Sequence, residues 1–208
     1  MKLSRLEAFS DGVLAVAITL LVLDLHVTPD SKLSLAQQLA DEWPSFAAYA
    51  LSFFVIGVIW VNHHAVTELV ARVDRRLMFY NLLLLLFVST IPFTTSTLAS
   101  FLEHDDQDSR VAALLYGASM EGMAISFTLI LAHIIHGGLM KSPVTREEGR
   151  RAILRFGAGV VVYPLIVVVG LFSAPLMLAL YAVLTGFYIV NQTPVIPEAA
   201  AQKGSDPR

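Results

Sequence analysis

The sequence predicts an all-α integral membrane protein with six transmembrane helices per protomer. Composition, hydropathy and the placement of positive charge carry that prediction. Of the 208 residues, 56% are hydrophobic and 15% are charged, whereas soluble domains carry about 25% charged residues. The mean hydropathy is +0.68. The apolar residues gather into six runs, and Lys and Arg fall almost wholly on alternate connections between them.

The first run, Phe9–Leu25, follows Arg5 and opens on Phe9-Ser10-Asp11. From Gly12 to Leu23, Thr19 is the one polar residue. Ser45–Val61, Leu77–Leu98, Val111–Ile135, Ile153–Phe172 and Pro175–Val190 follow. Each approaches the ~20 residues that a ~30 Å hydrocarbon core requires. The last two meet at Ser173-Ala174 and read as a tight helical hairpin. Between Thr28 and Trp43, Leu33, Leu35 and Leu39 follow Pro29 and place one or two short helices on the rim. The segment after Asn191 bears Pro, Ala and Gly and reads as a disordered cytoplasmic tail. The chain thus divides into a membrane domain at 1–190 and a tail at 191–208. A signal peptide does not fit the first run: Asp11 interrupts it and no small-residue cleavage site follows.

Six spans put Lys2, Arg5, Arg72, Arg75, Arg76, Lys141, Arg146, Arg150, Arg151, Arg155, Lys203 and Arg208 on one side. Only Lys32 and Arg110 lie on the other, a division of 12 against 2 among the 14 basic residues. Positive charge marks the cytoplasmic side, so both termini are expected there, in a multi-pass protein of the cell membrane. The opposite rim is acidic, with Asp24, Asp30, Asp41, Glu42, Glu103, Asp105, Asp106 and Asp108. Such a rim concentrates cations. The chain has no cysteine, which excludes disulfides and thiolate sites. A net charge of -3 and the lack of a basic, aromatic-laced patch argue against nucleic acid. No cofactor is expected.

With about 100° per residue, Asp11, Ala15, Ile18 and Val22 share one stripe of the first helix. Val16, Leu20 and Leu23 share another, bordered by Thr19. A carboxylate in a spanning helix is costly, so it is expected to face protein and to have a role. The plainer alternative makes it a partner of the positive helix N-terminus near the headgroups. The remaining helices hold too few polar residues for a wet pore. A conducting path would need copies of one helix around an axis, with aliphatic constrictions that gate by dewetting.

Trp60, Asn62, His63 and His64 end the second run, and Asn81 lies near the start of the third, at the depth of Asp11. These side chains supply donors for a carboxylate. Adjacent histidines diverge on a helix and make a poor metal site. His133 and His136 suit the negative end of the fourth helix. Glu121 lies within the fourth run and either pairs in the bundle or titrates.

The pattern Arg5, Phe9-Ser10-Asp11 and Ala15, together with Trp60, Asn62 and His63, resembles the signature of the transmembrane protein 175 family, the lysosomal-type potassium channels. The resemblance spans about residues 1–190. With one six-helix repeat rather than two, the chain looks like a prokaryotic member. The resemblance implies a potassium-selective, leak-like channel: a homotetramer whose first helices line a central pore, with K+ as the permeant ion. It assigns the hydrophobic constriction to Val16, Leu20 and Leu23, and the hydroxyl layer tied to potassium preference to Thr19. Val16 stands where the family often has isoleucine at the innermost constriction. No TVGYG-type filter is present. A proton-conducting or proton-coupled transporter using Asp11, Glu121 and the histidines is the alternative. An enzyme would need a clustered catalytic set, and no serine–histidine or paired-acid spacing qualifies.

Overall fold

The computed structural model describes residues 2–29, 32–104, 106–142 and 144–190. The expected tail at 191–208 lies outside the described residues. All described regular structure is helical apart from one isolated bridge: α1 Leu3–Leu20, α2 Leu35–Asp41, α3 Trp43–Thr67, α4 Arg75–Ser100, α5 Gln107–His136, α6 Arg146–Phe156, α7 Gly159–Gly170 and α8 Ala174–Val190. Five stretches are long and apolar enough to cross a membrane: Leu3–Asp24, Trp43–Thr67, Arg75–Ser100, Gln107–His136 and Arg146–Gly170. Helix α8 is apolar but shorter, at 17 residues.

Two expectations need correction. The first helix begins at Leu3, well ahead of Phe9, and its N-cap is Lys2. Asp11 therefore sits more than two turns inside the helix and does not cap it. The fifth run is two helices, not one. Gly157 and Ala158 separate α6 from α7, and Val160 and Val161 bond back only three residues, to Gly157 O and Ala158 O at 3.1 Å each. Pro164 sits inside α7, and with no N–H it cannot bond the Val160 carbonyl. The short rim helix is present as α2, closed at its N-terminus by a capping box between Ser34 and Gln37.

The core lies between α3, α4 and α5. Leu84, Val88 and Ile91 of α4 pack with Ile56 of α3 and with Ala113, Tyr116 and Met120 of α5. Without strong hydrophobic segregation between helices in lipid, close approach depends on small residues. At Gly117 of α5 a Cβ would run into Val167 of α7, so glycine sets that helix spacing. Just past the α5 C-cap Gly137, Gly138 has a φ of 61° that closes the terminus, and Leu139 N–H reaches Ile134 O at 3.1 Å.

The connections α3–α4 and α5–α6 are clasped together. Val70 and Met140 form an antiparallel bridge, with Ala71 N–H donating to Leu139 O at 2.7 Å and Lys141 N–H to Leu69 O at 2.8 Å. Beside it His133 Nε2 lies 2.9 Å from Asp74 Oδ2. His133 stands in the last turn of α5, as expected, and also links it to the α4 N-terminus. His136 stands there too, with Nδ1 at 2.9 Å from Ala132 O.

Candidate functional site: the exposed face of the first helix and its polar anchor

Helix α1 packs on the bundle through Leu6, Ser10, Leu14, Ala17 and Leu21. Their spacing follows helical neighbours three and four apart, a single stripe. Neither stripe marked in the sequence is this one. Asp11, Ala15 and Val22 are exposed and Ile18 is half-buried, so the Asp11 stripe is not the packing face.

The remaining circumference stands clear of the protomer. Val16 is 57% exposed and Leu23 64%, with Leu20 and Thr19 exposed between them. The Thr19 hydroxyl donates to Val16 O at 2.9 Å. Its proton is thereby engaged on the helix, and the oxygen lone pairs are left to accept or coordinate. At its end the helix tightens into a 3-10 turn, Leu21–Asp24, which carries Leu23.

Below this face, three helices are tied at one level. Ser10 donates to Leu6 O at 2.9 Å and accepts from Asn81 Nδ2 at 2.9 Å. The other end of the Asn81 amide, Oδ1, lies 2.8 Å from His63 Nε2. Ser10, Asn81 and His63 are all buried, at 0%, 1% and 3% exposure. The chain therefore links α1, α4 and α3 with each member partnered, which is what a polar group in an apolar bundle requires.

Asp11 lies beside this chain but outside it. Its Oδ1 accepts from Trp60 Nε1 at 3.0 Å. Ser10 does not hold Asp11, because its hydroxyl is turned into the bundle. Arg5 is exposed and forms no ion pair with Asp11 among the described residues. Phe9 is exposed on the same helix. Asn62 does not join the cluster either. About 200° separates it from Trp60 around α3, and it lines a cavity bounded by α5, α6, α7 and α8. His64 is exposed and lies 3.6 Å from Glu68. Glu121 is half-buried, and its Oε2 has no hydrogen-bond partner among the described residues.

A second polar cluster went unseen in the sequence. Ser52 of α3 lies 2.7 Å from Thr95 Oγ1 of α4 and 3.2 Å from the Tyr116 hydroxyl of α5. Single Ser and Thr residues in apolar runs carry no pattern that sets them apart from those bonding their own helix.

Apolar helices of spanning length, tied by a buried polar chain at one level, define a polytopic membrane protein. The chain belongs to the family described as the endosomal/lysosomal potassium channel TMEM175, whose model matches residues 5–92. It is 46% identical over 199 residues to a potassium channel of Streptomyces collinus, covering 95% of this chain and 96% of that protein. A crystal structure of a lysosomal potassium-selective channel TMEM175 homolog from Chamaesiphon minutus superposes with a TM-score of 0.80. The identity there is 35%, covering 90% of this chain and 96% of the other. The Bos taurus protein named endosomal/lysosomal proton channel TMEM175 is 33% identical over 173 residues, covering 77% of this chain and 35% of that protein.

Proposed function

We propose that the chain is one subunit of a potassium-selective channel of the cell membrane, conducting K+ passively through a central pore lined by four copies of α1. The observation that carries this reading is the α1 face of Val16, Thr19, Leu20 and Leu23, which the protomer leaves uncovered although it belongs to the helix bearing the family motif. The family relationship and the potassium channels among the relatives support it.

In this reading α8 completes a six-span body over residues 1–190, with both termini and the tail at 191–208 cytoplasmic. Val16, Leu20 and Leu23 form stacked aliphatic rings, and Thr19 places a hydroxyl ring between them. An aliphatic constriction expels water, so the closed state needs no charged plug. Potassium passes when the rings wet, and the Thr19 oxygens substitute for part of its hydration shell. The buried Ser10–Asn81–His63 chain fixes the tilt and rotation of α1 against the bundle. The process breaks no covalent bond, so the protein acts as a channel and not as an enzyme.

Purified protein in liposomes, assayed for potassium, sodium and proton flux, tests the conduction. Mass measurement of the solubilised particle against multiples of the 22.7 kDa protomer tests the assembly. Potassium flux from a tetramer is expected; an active monomer or simple dimer removes the basis for a pore of first helices.

A proton-conducting reading draws on one observation, the Glu121 Oε2 in α5 that has no hydrogen-bond partner among the described residues, and on the name of the animal relatives. Its mark is a pH-driven flux that persists without potassium.

A further inference from the structure

Asn62 belongs to the family-like cluster in sequence, yet it faces away from Asp11 into a cavity of about 90 Å³. Liquid water occupies about 30 Å³ per molecule, and close-packed interiors hold few voids larger than that. The cavity lies where the α6–α7 break opens the bundle: Phe156 and Gly159 flank the turn and both line it. One wall is apolar, with the rings of Phe127 and Phe156 stacked at 6.0 Å and 5°. Most of the remaining lining is apolar as well, and its polar members are Asn62, Arg155, Tyr163, Thr185 and Tyr188. Arg155 is exposed, so positive charge stands at the mouth. Arg146, Arg150 and Arg151 share its helix with Glu147 and Glu148, so the helix as a whole keeps a net positive charge. Arg151 is partly offset by Glu147, with which it pairs.

A cavity with a guanidinium at the mouth, amide and phenol groups beside it and an aromatic floor is complementary to one kind of molecule. That molecule carries an anionic phosphate on an apolar chain. Anionic lipids supply it at the cytoplasmic surface, where basic pockets between spanning helices take their headgroups. Arginine suits the phosphate because its planar fork donates two hydrogen bonds at once. We propose that this cavity is a binding site for an anionic glycerophospholipid. The phosphate rests on Arg155 and Asn62, and the start of an acyl chain lies along Phe127 and Phe156. Arg155 has a partner of its own in the protein, and the lipid phosphate adds to or replaces that contact.

The site does not depend on what the pore conducts, so the test reads binding. Delipidated full-length protein is titrated with dioctanoyl-phosphatidylglycerol, dioctanoyl-phosphatidylcholine or inorganic phosphate, and occupancy is read by native mass spectrometry. The expected result is one saturable phosphatidylglycerol per protomer, bound at least tenfold more tightly than phosphatidylcholine, with no retention of phosphate alone. Arg155→Gln should weaken phosphatidylglycerol at least tenfold, and Arg155→Lys should recover part of the loss. Ala124 also lines the cavity, so Ala124→Leu should fill it and lower occupancy with the charge intact. If Ala124→Leu fails to fold, the Arg155 pair decides alone. Equal affinity for the two lipids, tight binding of phosphate by itself, or no response to Arg155→Gln overturns the proposal.

Discussion

The indole N–H of Trp60 reaches Asp11 Oδ1 at 3.0 Å, joining α3 to α1 on an edge that the protomer leaves open. Both residues are exposed. An acidic side chain within an apolar helix is costly when it faces lipid alone. The pair therefore marks an edge that suits cover by a second subunit, next to the face of Val16 and Leu23.

Trp60→Phe tests the pair. The ring stays and the donor goes. Within one protomer the loss should be about 0.5–1.5 kcal/mol, as for an ordinary hydrogen bond. Asp11→Ala, which removes the acceptor, should add little in the same background, because coupled residues do not contribute independently. Thermal unfolding of the four proteins in one detergent checks the cycle. Additive losses would mean that the two side chains act separately.

Asn81 carries a heavier role, because it serves two buried partners. Asn81→Leu leaves the buried His63 nitrogen unsatisfied, at about 1–3 kcal/mol, and takes from Ser10 the bond that its oxygen accepts. The variant should unfold at clearly lower temperature than Trp60→Phe and should lose the fixed orientation of α1. Ser10→Ala should cost less, since it frees only one end of the Asn81 amide. If Asn81→Leu proves no less stable than Trp60→Phe, the buried chain does not hold α1.

Asp74 gives the acid dependence. Its carboxyl is held below the ordinary carboxylate range, first by the Leu77 N–H that it caps; burial opposes this, and His133 adds to the lowering. The folded protein thus binds this proton less readily than the unfolded chain. The stabilisation is complete above the unfolded value of about 3.9 and is lost as pH falls through the folded value. Asp74→Asn keeps a capping acceptor and lacks the charge. The wild type's thermal advantage over this variant should be present near pH 6 and shrink as the pH is lowered through about 4. An advantage that grows on acidification would reverse the sign and refute this account.

The fold was legible where one physical demand dominates. A bilayer requires long apolar helices, so α1, α3, α4 and α5 stand out by length and composition. Helix ends were less legible. Polar residues such as Arg5 and Glu7 continue α1 beyond its apolar run, and hydropathy cannot mark a helix that leaves the apolar layer. The α6–α7 break is written in Gly157 and Pro164, but a proline inside a spanning helix is tolerated often enough that neither residue fixes a break. Within the site, Ser10, Trp60, His63 and Asn81 could be grouped by depth alone. Their partners could not, because rotation about each helix decides them. A turn of about 100° per residue sends Asn62 away from Trp60 and Ser10 away from Asp11.

The gate and the filter make the last prediction, and it rests on the proposed tetramer. Val16 and Leu23 are the two most exposed of the aliphatic set on α1. In a closed ring they expel water, and replacing either by Asn gives water a hydrogen-bonding surface. Potassium flux into liposomes should rise several-fold in Val16→Asn and in Leu23→Asn. Thr19 contributes otherwise. Its hydroxyl proton is engaged by Val16 O at 2.9 Å, which turns the oxygen outward as a ligand for a partly dehydrated cation. Thr19→Val keeps shape and volume and removes that oxygen. Potassium preference over sodium should fall while the constriction stays aliphatic, a change visible as a shift in reversal potential under bi-ionic conditions. The two kinds of variant separate passage from choice. If flux ignores Val16 and Leu23 but responds to Ala15 and Val22, the pore lies on the Asp11 stripe. Helix α1 would then meet the axis rotated by roughly 140° from the orientation proposed.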